Sequence, residues 1–239
     1  MITLQDKISK RDAKLAMAHI HVAFISLFLG GLCGLLQVLV RSGKFNLPAG
    51  IGYYQVLTTH GVLLGLVLTT FFIIGFLFAC MSKTTGVLSK GVRKTGWIGF
   101  WFMTIGTTIT AIFILLNKAT VLYTFYAPLK AHWIFYLGLT LVVVGSWVGG
   151  VGQILRYVQW RKENKASGQR SPLLSFMVVV NNLMWFVATL GVAASVLIQL
   201  LPWSLGLIER VDVALSRTLF WYFGHALVYF WLLPAYMVW

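Results

Sequence analysis

The chain has 239 residues, 59% of them hydrophobic and only 10% charged, with a formal net charge of +14. A soluble domain carries roughly 25% charged residues, and a water-soluble core of this length could not hide so much apolar surface, so the solvent for most of the chain is lipid. The positive charge does not describe a nucleic-acid surface, because the basic residues stand in short clusters between long apolar runs, which is the pattern of membrane topology.

Six apolar segments follow one another, at about 17–40, 54–81, 97–116, 132–156, 173–201 and 216–239. A helix needs roughly 20 residues to cross the hydrocarbon, and barrel strands would be far shorter. The predicted fold is an all-α integral membrane protein, a bundle of about six transmembrane helices forming one domain over 1–239. The arm before the first segment, Met1 to Lys14, is polar, and the apolar run after it is too long for a signal-peptide core. The five acids, Asp6, Asp12, Glu163, Glu209 and Asp212, all fall outside the long apolar runs, as the cost of burying charge in a bilayer predicts.

Loop charge sets the expected orientation. Lys7, Lys10, Arg11 and Lys14 precede the first segment. Lys83, Lys90, Arg93 and Lys94 join the second to the third, and Arg156, Arg161, Lys162, Lys165 and Arg170 join the fourth to the fifth. The opposite side holds only Arg41, Lys44, Lys118, Lys130, Arg210 and Arg217. The richer side is expected to be cytoplasmic, which puts both ends of the chain in the cytoplasm and makes this a multi-pass protein of the cell membrane. The loop from Arg161 to Pro172, the most basic, is expected to meet anionic lipid head groups.

Gly61/Gly65 and Gly145/Gly149 are small-xxx-small pairs that allow close helix contact. Cys33 and Cys80 lie in apolar segments, with neither metal spacing nor a disulfide framework. Among the histidines, His19, His21 and His132 read as polar groups at a membrane interface. His60, one or two turns inside the second segment, is either a buried histidine bonded to a neighbouring helix or an axial ligand, and Gly61 beside it leaves room for a flat macrocycle. His225 and Tyr229, spaced i, i+4, share one face of the last segment. They are either a structural pair or a metal ligand beside a phenol able to give a proton and an electron together; imidazole suits copper and iron. The last segment runs through Pro234, Tyr236 and Trp239 without a basic or polar exit, so the chain is expected to be the N-terminal piece of something longer.

Three stretches carry a family resemblance: Tyr53 to Val62; Asn117 to Trp133, reading NKATVLYTFYAPLKAHW; and Leu201 to Tyr236, with LPWSLGLIERVD and RTLFWYFGHALVYFWLLPAY. They resemble subunit I of the haem-copper oxygen reductases, within them the B family of terminal cytochrome c oxidases, and specifically the N-terminal half of a subunit with twelve or more helices. The resemblance implies low-spin and high-spin haem and copper as cofactors. It makes His60 a low-spin haem ligand, His225 a copper ligand, Tyr229 the catalytic tyrosine cross-linked to that histidine, and Tyr229 and Tyr236 members of a proton path. The implied function is reduction of oxygen to water with electrons from cytochrome c, coupled to proton pumping. The implied partners are the remaining helices of subunit I, a subunit II with a copper site, a cytochrome c or cupredoxin donor, the lipid bilayer, and oxygen and protons.

There are departures from the pattern. Ala226 stands where the family usually has proline after the copper histidine, and Leu227 where A-family members often carry glutamate. The later helices that supply the other copper and haem histidines are absent. Two alternatives remain: a non-catalytic membrane fragment or split chain acting as scaffold, and nitric oxide reduction on the same scaffold. Tyr229 speaks against the second, because those reductases lack it.

Overall fold

A computed structural model describes residues 8–238; Asp6, Lys7 and Trp239 lie outside the described residues. Helix α1 spans Lys10–Arg41. The second crossing is composite, running as α2 (Tyr53–Gly61), a π-helical segment (Val62–Leu68) and α3 (Thr69–Thr85). Helices α4 (Lys90–Leu115) and α5 (Trp133–Glu163) follow. A second composite crossing comprises α6 (Leu173–Ala194), a π-helical segment (Ser195–Leu200) and α7 (Leu201–Ser204), and α8 is Val213–Tyr236.

Among the described residues every regular element is helical, as the lipid solvent demands, since a helix bonds all its backbone groups internally. Five helical stretches are long and apolar enough to cross a membrane: Lys10–Arg41, Tyr53–Thr85, Lys90–Leu115, Trp133–Glu163 and Leu173–Ser204. Helix α8, with 24 residues, is about 36 Å long, but Arg217, His225 and its tyrosines dilute its hydropathy.

Helix starts lie in the polar flanks, where side-chain oxygens take up unpaired N–H groups. Ser9 Oγ accepts from Asp12 N at 3.2 Å, Ser89 Oγ from Val92 N at 3.4 Å, and Asp212 Oδ1 from Leu215 N at 2.9 Å. His132 does the same for α5, its Nδ1 accepting from Ile134 N at 3.3 Å.

Glycines bring α4 and α5 together. A methyl group built on Gly99 would lie 2.6 Å from the Gly145 carbonyl, and one on Gly106 would lie 2.5 Å from the Gly138 carbonyl. Lipid tails are as apolar as leucine, so helices in a membrane associate through such backbone-to-backbone packing. Gly145 and Gly149 both meet Gly99 in this seam. The other expected pair does not: Gly61 faces Tyr123 of a loop, and Gly65 faces open space. Gly106→Leu should therefore force the pair apart and destabilise the bundle by about 1–3 kcal/mol, read as a lower unfolding midpoint in detergent. Gly65→Ala should leave that midpoint unchanged.

One end of the bundle holds buried charge. The Asp12 carboxylate is enclosed; it accepts from Ser82 Oγ at 2.8 Å and Leu88 N at 3.0 Å, and pairs with Arg93 at 3.2 Å. It lies outside the apolar run, as expected, and is buried because α1 begins before that run and the α3–α4 turn covers it. Arg156 is likewise buried, donating to Thr85 Oγ1 at 3.1 Å, to the Thr85 carbonyl and, from Nη1, to both carboxylate oxygens of Glu163. Removing one member of a buried ion pair strands the other, so Asp12→Asn should cost about 3 kcal/mol of stability, measured by the same unfolding assay.

His19 also departs from the interface reading. It is fully buried, its Nδ1 2.9 Å from the Leu15 carbonyl and its ring enclosed by Phe71, Phe78 and Phe100.

The other end is roofed by the segment between α4 and α5. Ala119, Val121, Phe125, Ala127 and Ala131 are buried in it, and Leu122 and Phe125 take φ of 62° and 35°, values that non-glycine residues keep only where surrounding contacts over-determine them. Those contacts reach several helices. Leu122 N donates to Thr58 Oγ1 of α2 at 2.9 Å, Ala131 N to Tyr136 Oη of α5 at 3.2 Å, and Ser204 Oγ of α7 to the Ala131 carbonyl at 2.6 Å.

Candidate functional site

His60 is the penultimate residue of α2, separated from the first π-helical segment by Gly61. Helix α2 is held in place by Gln55, whose Nε2 donates to the carbonyls of Ile114 at 2.9 Å and Leu115 at 2.7 Å at the end of α4. The His60 imidazole lies across α1, with Nδ1 2.8 Å from the Gly30 carbonyl. A carbonyl can only accept, so Nδ1 carries the proton and Nε2 keeps its lone pair. Backbone hydrogen bonds of this kind orient histidines that ligate metals through the other nitrogen.

The room for the ring is supplied by α1. A methyl group on Gly34 would stand 2.8 Å from His60 Cε1. Sequence reasoning passed over Gly30 and Gly34, although their small-xxx-small spacing was a readable signal. The π-helical segment likewise agrees with the frequent occurrence of such turns at functional sites.

His225 and Tyr229 lie on α8, one turn apart, with Nε2 and the phenolic oxygen 3.2 Å apart and the rings edge to face at 5.3 Å. With Nε2 turned toward the phenol, Nδ1 is the ring nitrogen left for another partner. Helix α8 runs without interruption through His225 and Ala226; its one internal proline is Pro234. Its inner face is locked to α6, where Trp185 stacks on Phe230 at 4.2 Å and donates to Ser146 Oγ of α5 at 2.8 Å. That packing turns His225 outward with Tyr229 (50% exposed) and Tyr236 (63% exposed), which sits two turns further along the same helix.

A cavity of about 180 Å³ separates the two halves of the site, with Gly61, Gly65 and Tyr123 on one side and Phe220, Gly224 and Val228 on the other. Neither His60 nor His225 lines it. Among the described residues no three His, Cys, Asp or Glu side chains come together as a metal site, so His225 offers one imidazole donor and not a complete set.

This arrangement has counterparts. Residues 14–239 match the profile of the family described as cytochrome C and quinol oxidase polypeptide I. The chain is 39% identical over 235 residues to cytochrome c oxidase subunit 1 of Thermus thermophilus, which covers 95% of this chain and 41% of that protein. It is 23% identical over 240 residues to quinol oxidase subunit 1 of Bacillus spizizenii, covering 93% of this chain and 36% of that one. A cryo-EM structure of a heme-copper terminal oxidase dimer superimposes with a TM-score of 0.89 at 42% identity, over 97% of this chain and 40% of that one. The chain thus spans about two fifths of the length of these relatives. A profile match from the second turn of the first helix to the last residue, on an all-helical membrane bundle that superimposes on a terminal oxidase, has one reading: this chain is a multi-pass membrane protein belonging to the haem-copper oxidase subunit I family, cytochrome c and quinol oxidase polypeptide I.

Proposed function

We propose that the chain forms part of subunit I of a B-family terminal oxidase that reduces oxygen to water with electrons from cytochrome c, coupled to proton translocation. The observation that carries this reading is the pairing of His225 with Tyr229 at 3.2 Å on one face of α8, together with the absence of any carboxylate at Leu227. When bound, haem and copper supply electron transfer and the metal-centred reduction of oxygen.

The residues present fit those groups. His60 would hold a low-spin haem iron through Nε2, the nitrogen left bare by the Gly30 bond. His225 would hold copper through Nδ1, and the high-spin haem and further copper donors would come from the remaining helices of subunit I. Tyr229 keeps a dissociable proton and an oxidisable ring against His225. Tyr236, i+7 from Tyr229, can pass a proton along the same helix face through hydroxyls and water. Electrons would arrive through a subunit II copper site from cytochrome c or a cupredoxin.

The test is reconstitution of the chain with the rest of subunit I and with subunit II. Oxygen uptake with reduced cytochrome c is expected, and it should disappear in His225→Ala. Nitric oxide turnover without oxygen uptake would reject the oxidase reading. Isolated in detergent, the 239-residue chain is expected to consume no oxygen, because its one copper donor lacks companions; stoichiometric haem and copper with oxygen reduction in that chain alone would overturn this.

In this reading both ends face the cytoplasm. A cysteine placed beside Lys165 should be shielded from a membrane-impermeant reagent in intact cells, and one beside Lys130 should react. The reverse pattern would invert the orientation.

A further inference from the structure

A second charged feature lies away from these ligands, where α1 and α4 begin. Arg11 and Lys14, one turn apart on α1, face Lys90, Arg93 and Lys94 on the first turns of α4, and together with Trp97 they line a cleft of about 430 Å³. That volume falls within the roughly 300–1,000 Å³ of small-molecule sites. Five basic side chains surround it, and among the described residues one carboxylate answers them: Asp12, paired with Arg93 at 3.2 Å. Arg93 also donates to the Leu88 carbonyl, so its guanidinium is fixed at the cleft wall. Arg11, Lys14, Lys90 and Lys94 are exposed, and like charges three and four residues apart on a helix repel one another. The cleft is preformed, and an anion would relieve its repulsion.

The kind of anion follows from what lies below. Trp97 is one turn deeper than Arg93, half-buried and edge-on to Phe100 at 5.4 Å, a placement that marks the membrane interface. Beyond it Trp101 (55% exposed) and Ile105 (49% exposed) continue at i+4 spacing down the outer face of α4. A cationic cleft at the head-group level thus opens onto an aromatic and aliphatic track running into the hydrocarbon. A free phosphate would use only the first part, whereas a phospholipid uses both. We propose that this cleft is a binding site for an anionic phospholipid, its phosphate held by Arg11, Lys14, Lys90, Arg93 and Lys94 and an acyl chain lying along Trp97, Trp101 and Ile105.

The site is tested by native mass spectrometry of the chain in zwitterionic detergent, titrated with phosphatidylglycerol. Each basic residue near a bilayer surface contributes about a fivefold change in affinity for anionic lipid. Arg11→Gln/Lys14→Gln/Lys90→Gln should therefore weaken retention of the first lipid by about 100-fold, while Arg41→Gln/Lys44→Gln/Lys118→Gln, exposed residues at the other end of the bundle, should leave it within about threefold. Trp101→Ala should weaken it without removing charge. An unchanged unfolding midpoint for each variant confirms that the fold survives. Equal loss in both triple variants would mean diffuse charge attraction and would overturn the site. Displacement of the lipid by equimolar inorganic phosphate, or indifference to Trp101→Ala, would overturn its assignment to a lipid.

Discussion

Tyr229→Phe in the assembled oxidase should lower oxygen turnover at least 100-fold while haem and copper contents stay near normal. The substitution keeps the ring and its edge-on packing against His225 and deletes only the hydroxyl that lies 3.2 Å from Nε2. Positioned proton donors contribute roughly 100- to 10,000-fold to a rate, and in the proposed role Tyr229 gives up an electron as well. The next phenols along α8, Tyr222 and Tyr236, each stand seven residues from Tyr229, and neither is hydrogen-bonded to His225 as Tyr229 is. Oxygen uptake by polarography, with haem quantified spectrally on the same sample, separates this outcome from loss of fold. Uptake within about twofold of the parent would mean that Tyr229 serves packing alone.

The second large effect concerns His60. His60→Ala in the assembled oxidase should abolish the low-spin haem band of the reduced-minus-oxidised spectrum, since a haem iron that loses one of two strong axial ligands does not stay low-spin. The proposed copper ligand His225, on a different helix, should be less affected. A companion variant acts without replacing His60. Gly34→Val would drive a side chain into the imidazole, because even a methyl group there stands 2.8 Å from Cε1; it should shift or broaden the same band. An unchanged spectrum in both variants would remove His60 from the haem site.

Much of this architecture is written plainly in the sequence, and for a physical reason. In lipid the backbone has no solvent partner, so each long apolar run must be a helix, and caps such as Ser9, Ser89 and Asp212 stand in the polar flanks where such helices begin. The contact between His225 and Tyr229 follows from helical spacing alone. Other features leave no such trace. The π-helical segment Val62–Leu68 is apolar on every side, and Ser195–Leu200 carries only Ser195 and Gln199 as polar residues, so a change of helical register alters no visible pattern. The backbone of Leu122 and Phe125 is dictated by partners distant in the chain. His19 carries the same polar label as His132, yet one is enclosed by phenylalanines and the other caps a helix. Burial depends on which helices arrive beside it, and composition does not record that.

The Asp12 cluster carries a consequence for biogenesis. Its carboxylate partners, Ser82, Leu88 and Arg93, are separated from it by 70, 76 and 81 residues. The first helix therefore emerges from the ribosome long before anything exists to receive its acid, and until then the carboxylate must remain hydrated at the bilayer surface. Final seating of α1 waits for the arrival of the third crossing, so α1 is locked only after two later crossings have been made. A nascent chain arrested before Arg93 should leave Asp12 open to the membrane surface, and each added stretch up to the start of α4 tightens a latch that only then closes.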